Sequence, residues 1–243
     1  CHQILAENGF DIPGGIQVGV DSHTCTSGAF GCFGTGIGTT EMLSVICTGE
    51  MWFRVPESIR IAWNGKLGDR VMAKDIILRT IGTLGYSGAT YMAMEFCGSA
   101  IEALPMNERM CISNMAVEAG AKVGLIAPDE KTAEYLKNIG KPELYKEIHS
   151  DPDAVYAKNL EFDASLLEPQ VACPHSVDNV CSVKEIEGER IHAAYIGSCT
   201  GGRITDLRAA ADILRGKHIS KDCRLLVSPA SSTSWKQADS EGL

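Results

Sequence analysis

The chain has 243 residues, 44% of them apolar and 22% charged, an ordinary globular composition with enough length to bury one large core or two modest ones. The formal net charge is −9, and no run of Lys or Arg forms a basic stripe, which argues against nucleic-acid binding by general electrostatics. No stretch reaches the roughly 20 consecutive apolar residues that span a bilayer, so a soluble protein without membrane contact is expected.

Ten cysteines, at 1, 25, 32, 47, 97, 111, 173, 181, 199 and 223, lie largely inside apolar patterns and read as buried small hydrophobes. With no signal-like segment they point to a reducing, cytoplasmic setting rather than to disulfides. No CxxC pair occurs, so spacing yields no closed four-cysteine metal site. The start at Cys1 and the stop after a helix-like stretch read as cuts inside a longer protein.

Taken in chain order, residues 2–20 hold a short helical pattern at Ile4-Leu5, a Pro13-Gly14-Gly15 turn and an apolar strand, Ile16 to Val20. That strand delivers Asp21, Ser22 and His23 to a turn, after which glycines recur at 28, 31, 34, 36 and 38. Such a glycine density lets backbone N–H groups approach a ligand closely, and the stretch is expected to be a pliable loop. The other reading of Asp-Ser-His is a capped helix start. A helix from about Thr39 to Met51 should turn Met42, Leu43, Ile46 and Cys47 to one face.

Pro56 ends that unit. A strand from Ser58 to Trp63, a helix from about Ala73 to Leu84, a strand from Thr90 to Phe96, a helix near Ile112 to Ala119 and a strand from Val123 to Ile126 follow. A further helix has Asp129 as cap and Gly140 as stop. Alternating strands and helices predict an α/β fold. Residues 140–185, with four prolines and scattered charges, read as linker and surface loop, and Cys173-Pro174-His175 gives only weak grounds for a metal ligand. A strand at Ile191 to Ile196, a helix at Ile204 to Arg215 and a strand at Arg224 to Val227 predict a βαβ unit.

Three places carry candidate chemistry. Cys199 follows a strand and precedes a helix, where the positive helix end favours the thiolate; a metal ligand, a redox thiol and a plain buried cysteine all remain open. Asn114 and Glu118 stand four apart, on one face of a helix. Among apolar neighbours the Glu118 carboxyl would be raised by burial unless paired, and a place on the wet side of the helix is equally open. His2 and His23 complete the set, although a lone His on a loop is more often structural.

DSHTCTSGAFG followed by GTGIGTTE resembles the large subunit of the aconitase superfamily, closest to its 3-isopropylmalate dehydratase and homoaconitase branch. HQILAENGF at 2–10, KDIIL at 74–78, ERMCISNMAVEAGAKVGLIAPDEKT at 108–132 and IGSCTGGRITDLRAAADIL at 196–214 agree in order, so the resemblance covers nearly the whole chain. It implies aconitase-type three-layer α/β domains: residues 1–54 as the end of domain 1, 55–145 as domain 2, 146–185 as a connecting segment and 186–243 as the start of domain 3.

The resemblance further implies a hydro-lyase that dehydrates and rehydrates a hydroxy di- or tricarboxylate, with isopropylmalate isomerisation in leucine biosynthesis ahead of homoaconitase and dimethylmalate-type dehydratases. A small subunit, the swivelling domain 4, would be its partner. His2, Asp21, Ser22, His23 and Glu118 map to catalytic positions, with His2 paired to Glu118 and Asp21 to His23. Asn114 and Cys199 map to the surroundings of a 4Fe-4S cluster, Cys199 as the first of three ligands whose other two lie past residue 243. This chain alone is then expected to be inactive and unable to hold the cluster stably. Gly201 stands where the family has Asn, a position at which either residue tolerates a left-handed backbone. An RNA-binding apo-protein and a non-catalytic nucleotide- or phosphate-binding module are the rivals from other classes; no Lys follows the glycines as a phosphate loop requires.

Overall fold

A computed structural model describes residues 1–243. The N-terminal part runs through α1 (His2–Glu7), β1 (Ile16–Gly19), a 3₁₀ segment (Ser22–Phe30), β2 (Phe33–Gly36) and α2 (Thr39–Thr48). β1 and β2 are parallel, with Ile16 opposite Phe33 and Gly19 opposite Gly36. The stretch expected to be a pliable loop is therefore mostly ordered helix and strand. Its glycines serve packing: a Cβ on Gly28 would collide with the Gly124 carbonyl, and one on Gly34 with the Thr24 carbonyl.

The middle of the chain contains β3 (Ser58–Asn64), α3 (Ala73–Leu84), β4 (Ala93–Cys97), α4 (Ser99–Ala103), α5 (Met106–Met115), β5 (Val123–Ile126), α6 (Glu130–Asn138) and β6 (Lys158–Asp163). These strands form one parallel sheet in the order β5-β4-β3-β6. Alternation along β3 buries Ile59, Ile61 and Trp63, and α3 adds Ile76, Ile77 and Ile81, to a single core of 23 buried residues. Parallel strands covered by helices are the α/β arrangement the alternation predicts.

Several expectations need correction. Residues 140–185 are not all linker, since β6 extends the sheet beyond β3, fastened by Trp63 stacked on Phe162 with centroids 4.4 Å apart. The same region supplies an antiparallel hairpin, β7 (Gln170–Ala172) and β8 (Val180–Ser182), whose Gln170 N–H donates to Asp75 Oδ1 of α3 at 2.7 Å. The helix expected over 112–119 is α5 followed by a 3₁₀ turn at Ala116–Ala119. The apolar face of α2 is left largely open, Leu43 and Ile46 being 61% and 75% exposed while Met42 and Val45 are partly covered. Of the cysteines, Cys25, Cys32 and Cys111 are buried, while Cys1, Cys47 and Cys199 are exposed and the rest intermediate; all ten are free thiols.

The last part is β9 (Ala193–Ile196), α7 (Ile204–Leu214), β10 (Arg224–Val227) and α8 (Ser232–Glu241), with β9 and β10 parallel as expected of a βαβ unit. Its own core is small: Ile204, Leu207 and Ala238. No helix is long and apolar enough to cross a membrane.

Candidate active site

The end of β1, the turn after α5 and the loop after β9 meet at one place. Asp21 is extended (φ −127°) and its Oδ1 accepts from the His23 N–H at 2.8 Å, so it caps the 3₁₀ segment. The capping and functional readings of Asp-Ser-His are thus both realised. With the backbone fixed by this cap, the His23 side chain is aimed across to Glu118.

The expected His2–Glu118 pair is not formed, whereas Asp21 contacts both histidines. His2 Nε2 lies 2.9 Å from Asp21 Oδ1, and His23 Nε2 lies 3.2 Å from Glu118 Oε1. His2 does not pair with Glu118, and the His23 ring stands 3.8 Å from Asp21, touching it more closely through the backbone. The reason is positional: α1 packs on the 3₁₀ segment that Asp21 caps, and that segment also lies against α5 and puts the His23 ring beside the turn that carries Glu118.

These contacts set opposite protonation states. Burial holds His2, 4% exposed, below the ordinary histidine value, although the Asp21 hydrogen bond works the other way. His2 is then a neutral imidazole whose Nε2–H donates to Asp21, and that bond in turn holds the Asp21 carboxyl low. His23 is pushed up to about 10, first by the Cys199 thiol and next by Glu118, against partial burial. As an imidazolium it donates from Nε2 to Glu118, and its Nδ1 stands 3.1 Å from the Ser22 hydroxyl. Glu118, expected to be raised unless paired, is lowered by His23.

Cys199 is exposed, which removes the plain buried-cysteine reading. Its thiol is lowered by the His23 side chain, with Asn114 adding to the effect and burial opposing it. The left-handed residues of its loop are Ser198 (φ 74°) and Gly202 (φ 73°), and Gly201 is not among them. Asn114, fully buried, donates from Nδ2 to Thr26 Oγ1 at 2.8 Å, and its Oδ1 has no hydrogen-bond partner. Thr26 in turn donates to the His23 carbonyl at 2.7 Å, and the Cys25 thiol to the Asn114 carbonyl at 3.1 Å. Thr26 and Cys25 lie inside the Asp-Ser-His stretch, but only their fold shows that they brace Asn114. Ser22 borders a cleft of about 430 Å³ shared with Thr35, Gly36, Glu41 and Lys122.

No three or more His, Cys, Asp or Glu side chains in this chain are arranged to hold a metal ion, and His175 is exposed with no ligand set around it. One thiol of lowered pKa beside an unpartnered buried amide oxygen fits a single corner of a group shared with other ligands. It does not fit a complete ligand set.

The model of the aconitase family (aconitate hydratase) matches residues 1–190 and 183–243. A probable 3-isopropylmalate dehydratase large subunit of Methanothermobacter thermautotrophicus is 51% identical over all of this chain and 58% of its own length. A probable methanogen homoaconitase large subunit of Methanosarcina mazei is 50% identical over all of this chain and 61% of its own length. A 3-isopropylmalate dehydratase large subunit of Thermotoga maritima is 51% identical, again over the whole chain and 58% of the relative. The chain thus spans about 58% of the length of such relatives.

Proposed function

The chain belongs to the aconitase family, and from that premise we propose that it carries the acid–base wall of a hydro-lyase active site, within the large subunit of a 3-isopropylmalate dehydratase. The observation that carries this reading is the pair of histidine–carboxylate contacts, His2 Nε2 at 2.9 Å from Asp21 Oδ1 and His23 Nε2 at 3.2 Å from Glu118 Oε1. Dehydration of a hydroxy acid needs a proton donor at the departing hydroxyl. His23 is built for that task, with Glu118 holding its ring and charge. Asp21 fixes the His2 tautomer, so that His2 presents a defined face toward the same space. The Ser22 hydroxyl, 3.1 Å from His23 Nδ1, is placed to meet the same substrate.

A 4Fe-4S cluster would be held at this corner by Cys199, with Asn114 beside it and two thiolates from outside these residues. When bound it supplies a Lewis acid for the substrate hydroxyl and carboxylate. A small subunit would complete the site. Homoaconitase stands as the second reading, favoured by the 50% identical Methanosarcina relative.

The test is anaerobic reconstitution with iron and sulfide of this chain and of the complete large subunit, followed by hydratase assays with small subunit on isopropylmalate and homoaconitate. Iron–sulfur absorption and turnover in the complete subunit, both abolished by Cys199→Ser, are expected. A folded complete subunit that takes up no iron overturns the reading.

A further inference from the structure

Arg203 directly precedes α7 and is 2% exposed, yet no carboxylate pairs with its guanidinium. The nearest acid on its own helix, Asp206, accepts only from the Arg203 backbone N–H, at 3.0 Å. Its side chain is spent on acceptors of another kind. Nη2 donates to the Cys199 carbonyl and Nη1 to the Thr200 carbonyl, each at 3.1 Å, while Nε donates to Gln3 Oε1 at 3.0 Å.

A buried guanidinium without a counter-ion is costly to keep, and burial alone draws its pKa down. The loop it binds is strained as well, since Ser198 is held at φ 74°, a left-handed conformation that a non-glycine residue rarely adopts, although the Ser198 and Thr200 hydroxyls bond each other at 2.8 Å. Two independent strains therefore meet at one set of hydrogen bonds.

The far end of those bonds is the active site itself. Gln3 adjoins His2 on α1, and its Nε2 donates to Glu7 Oε1 at 2.9 Å, which also accepts from the Ser231 hydroxyl at 2.6 Å ahead of α8. One polar chain thus joins the Cys199 loop, the helix that carries His2 and the start of α8. Lys74 of α3 adds an outer contact, donating to Thr200 Oγ1 at 3.1 Å.

We propose that Arg203 is a positioning residue that ties the Cys199 and Thr200 carbonyls to Gln3, so holding the Cys199 thiol against His23 and Asn114 in the geometry that accepts iron. This rests on the reading of Cys199 as a cluster ligand. A lysine at 203 keeps the charge but lacks the planar fork that reaches both carbonyls and Gln3 together.

The test compares Arg203→Lys and Gln3→Leu in the complete large subunit, by hydrogen exchange over the 196–203 loop and by iron bound after anaerobic reconstitution. Each variant is expected to speed loop exchange about ten-fold, with β3 and β4 unchanged, and to lower iron uptake about ten-fold. The double variant should be no worse than Arg203→Lys alone, because both act on one chain of bonds. Unchanged loop exchange, additive losses, or exchange that rises equally across β3 and β4 would each overturn the proposal. Loop exchange decides it even without iron: an unsubstituted subunit that takes up no iron defeats the ligand reading, while the exchange arm still reports on Arg203.

Discussion

Asp11 is 1% exposed and neither carboxylate oxygen has a hydrogen-bond partner, so burial pushes its carboxyl up to about 6, eased slightly by nearby Ser27. The native chain keeps this proton to about pH 6, whereas the unfolded chain releases it near the ordinary value of 3.8. Between those values the native state binds more protons, and stability falls as pH rises. Asp11→Asn is therefore expected to stabilise the chain at neutral pH by up to about 3 kcal/mol, and to leave it unchanged below the unfolded value. Urea unfolding at neutral and acidic pH checks this; equal stability of the two proteins at neutral pH would show that Asp11 is not buried as a charge. His2, Asp21, Ser22, His23, Asn114, Glu118 and Cys199 were all legible as candidates because each sits in a short motif. The choice of partners was not. Spacing along a helix says which side chains share a face, but Asp21 and Glu118 are brought to His2 and His23 by tertiary packing across 19 and 95 residues.

Between elements, the strongest polar joint outside the site links α5 to α6. Arg109, fully buried, grips Asp129 through two hydrogen bonds of 2.9 and 2.6 Å and donates to the Leu104 and Glu102 carbonyls as well. Burial works against the Asp129 carboxylate, yet Arg109 and the N–H groups of Lys131 and Thr132 hold it low. Arg109→Leu leaves that carboxylate half-buried without its cation, and a loss of about 3–5 kcal/mol in urea unfolding is expected. Asp129 as the α6 cap and the span of α3 could be read from sequence, since caps and the helical period are local. β6 could not. It is an edge strand that bonds only to β3, and its half-exposed Lys-Asn-Leu-Glu-Phe-Asp face offers no apolar run to mark it. β2 was hidden for the opposite reason, because Gly34 and Gly36 are chosen for close packing and carry no strand signal.

At the scale of the molecule, three apolar clusters of unequal size lie around one site, the middle one being Ala6, Ala29, Phe30, Met106 and Met110. The sheet unit buries 23 residues together, whereas the β9–α7–β10–α8 unit buries Ile204, Leu207 and Ala238 and is joined to the rest by the polar chain through Arg203, Gln3, Glu7 and Ser231. Apolar burial dominates folding free energy, so the smaller unit should open first. The tryptophans report the two units separately: Trp63 is 1% exposed in the large core, and Trp235 lies on α8. In this chain with Trp52→Phe, a urea series is expected to show a lower midpoint in a Trp63→Phe variant, which follows Trp235, than in a Trp235→Phe variant, which follows Trp63. Coincident midpoints would mean that the two units fold as one cooperative body. Unequal midpoints carry a consequence for the site. His2, Asp21, His23, Asn114 and Glu118 lie outside the small unit and Cys199 lies within it, so the first opening would withdraw the thiol while leaving the acid–base pairs in place.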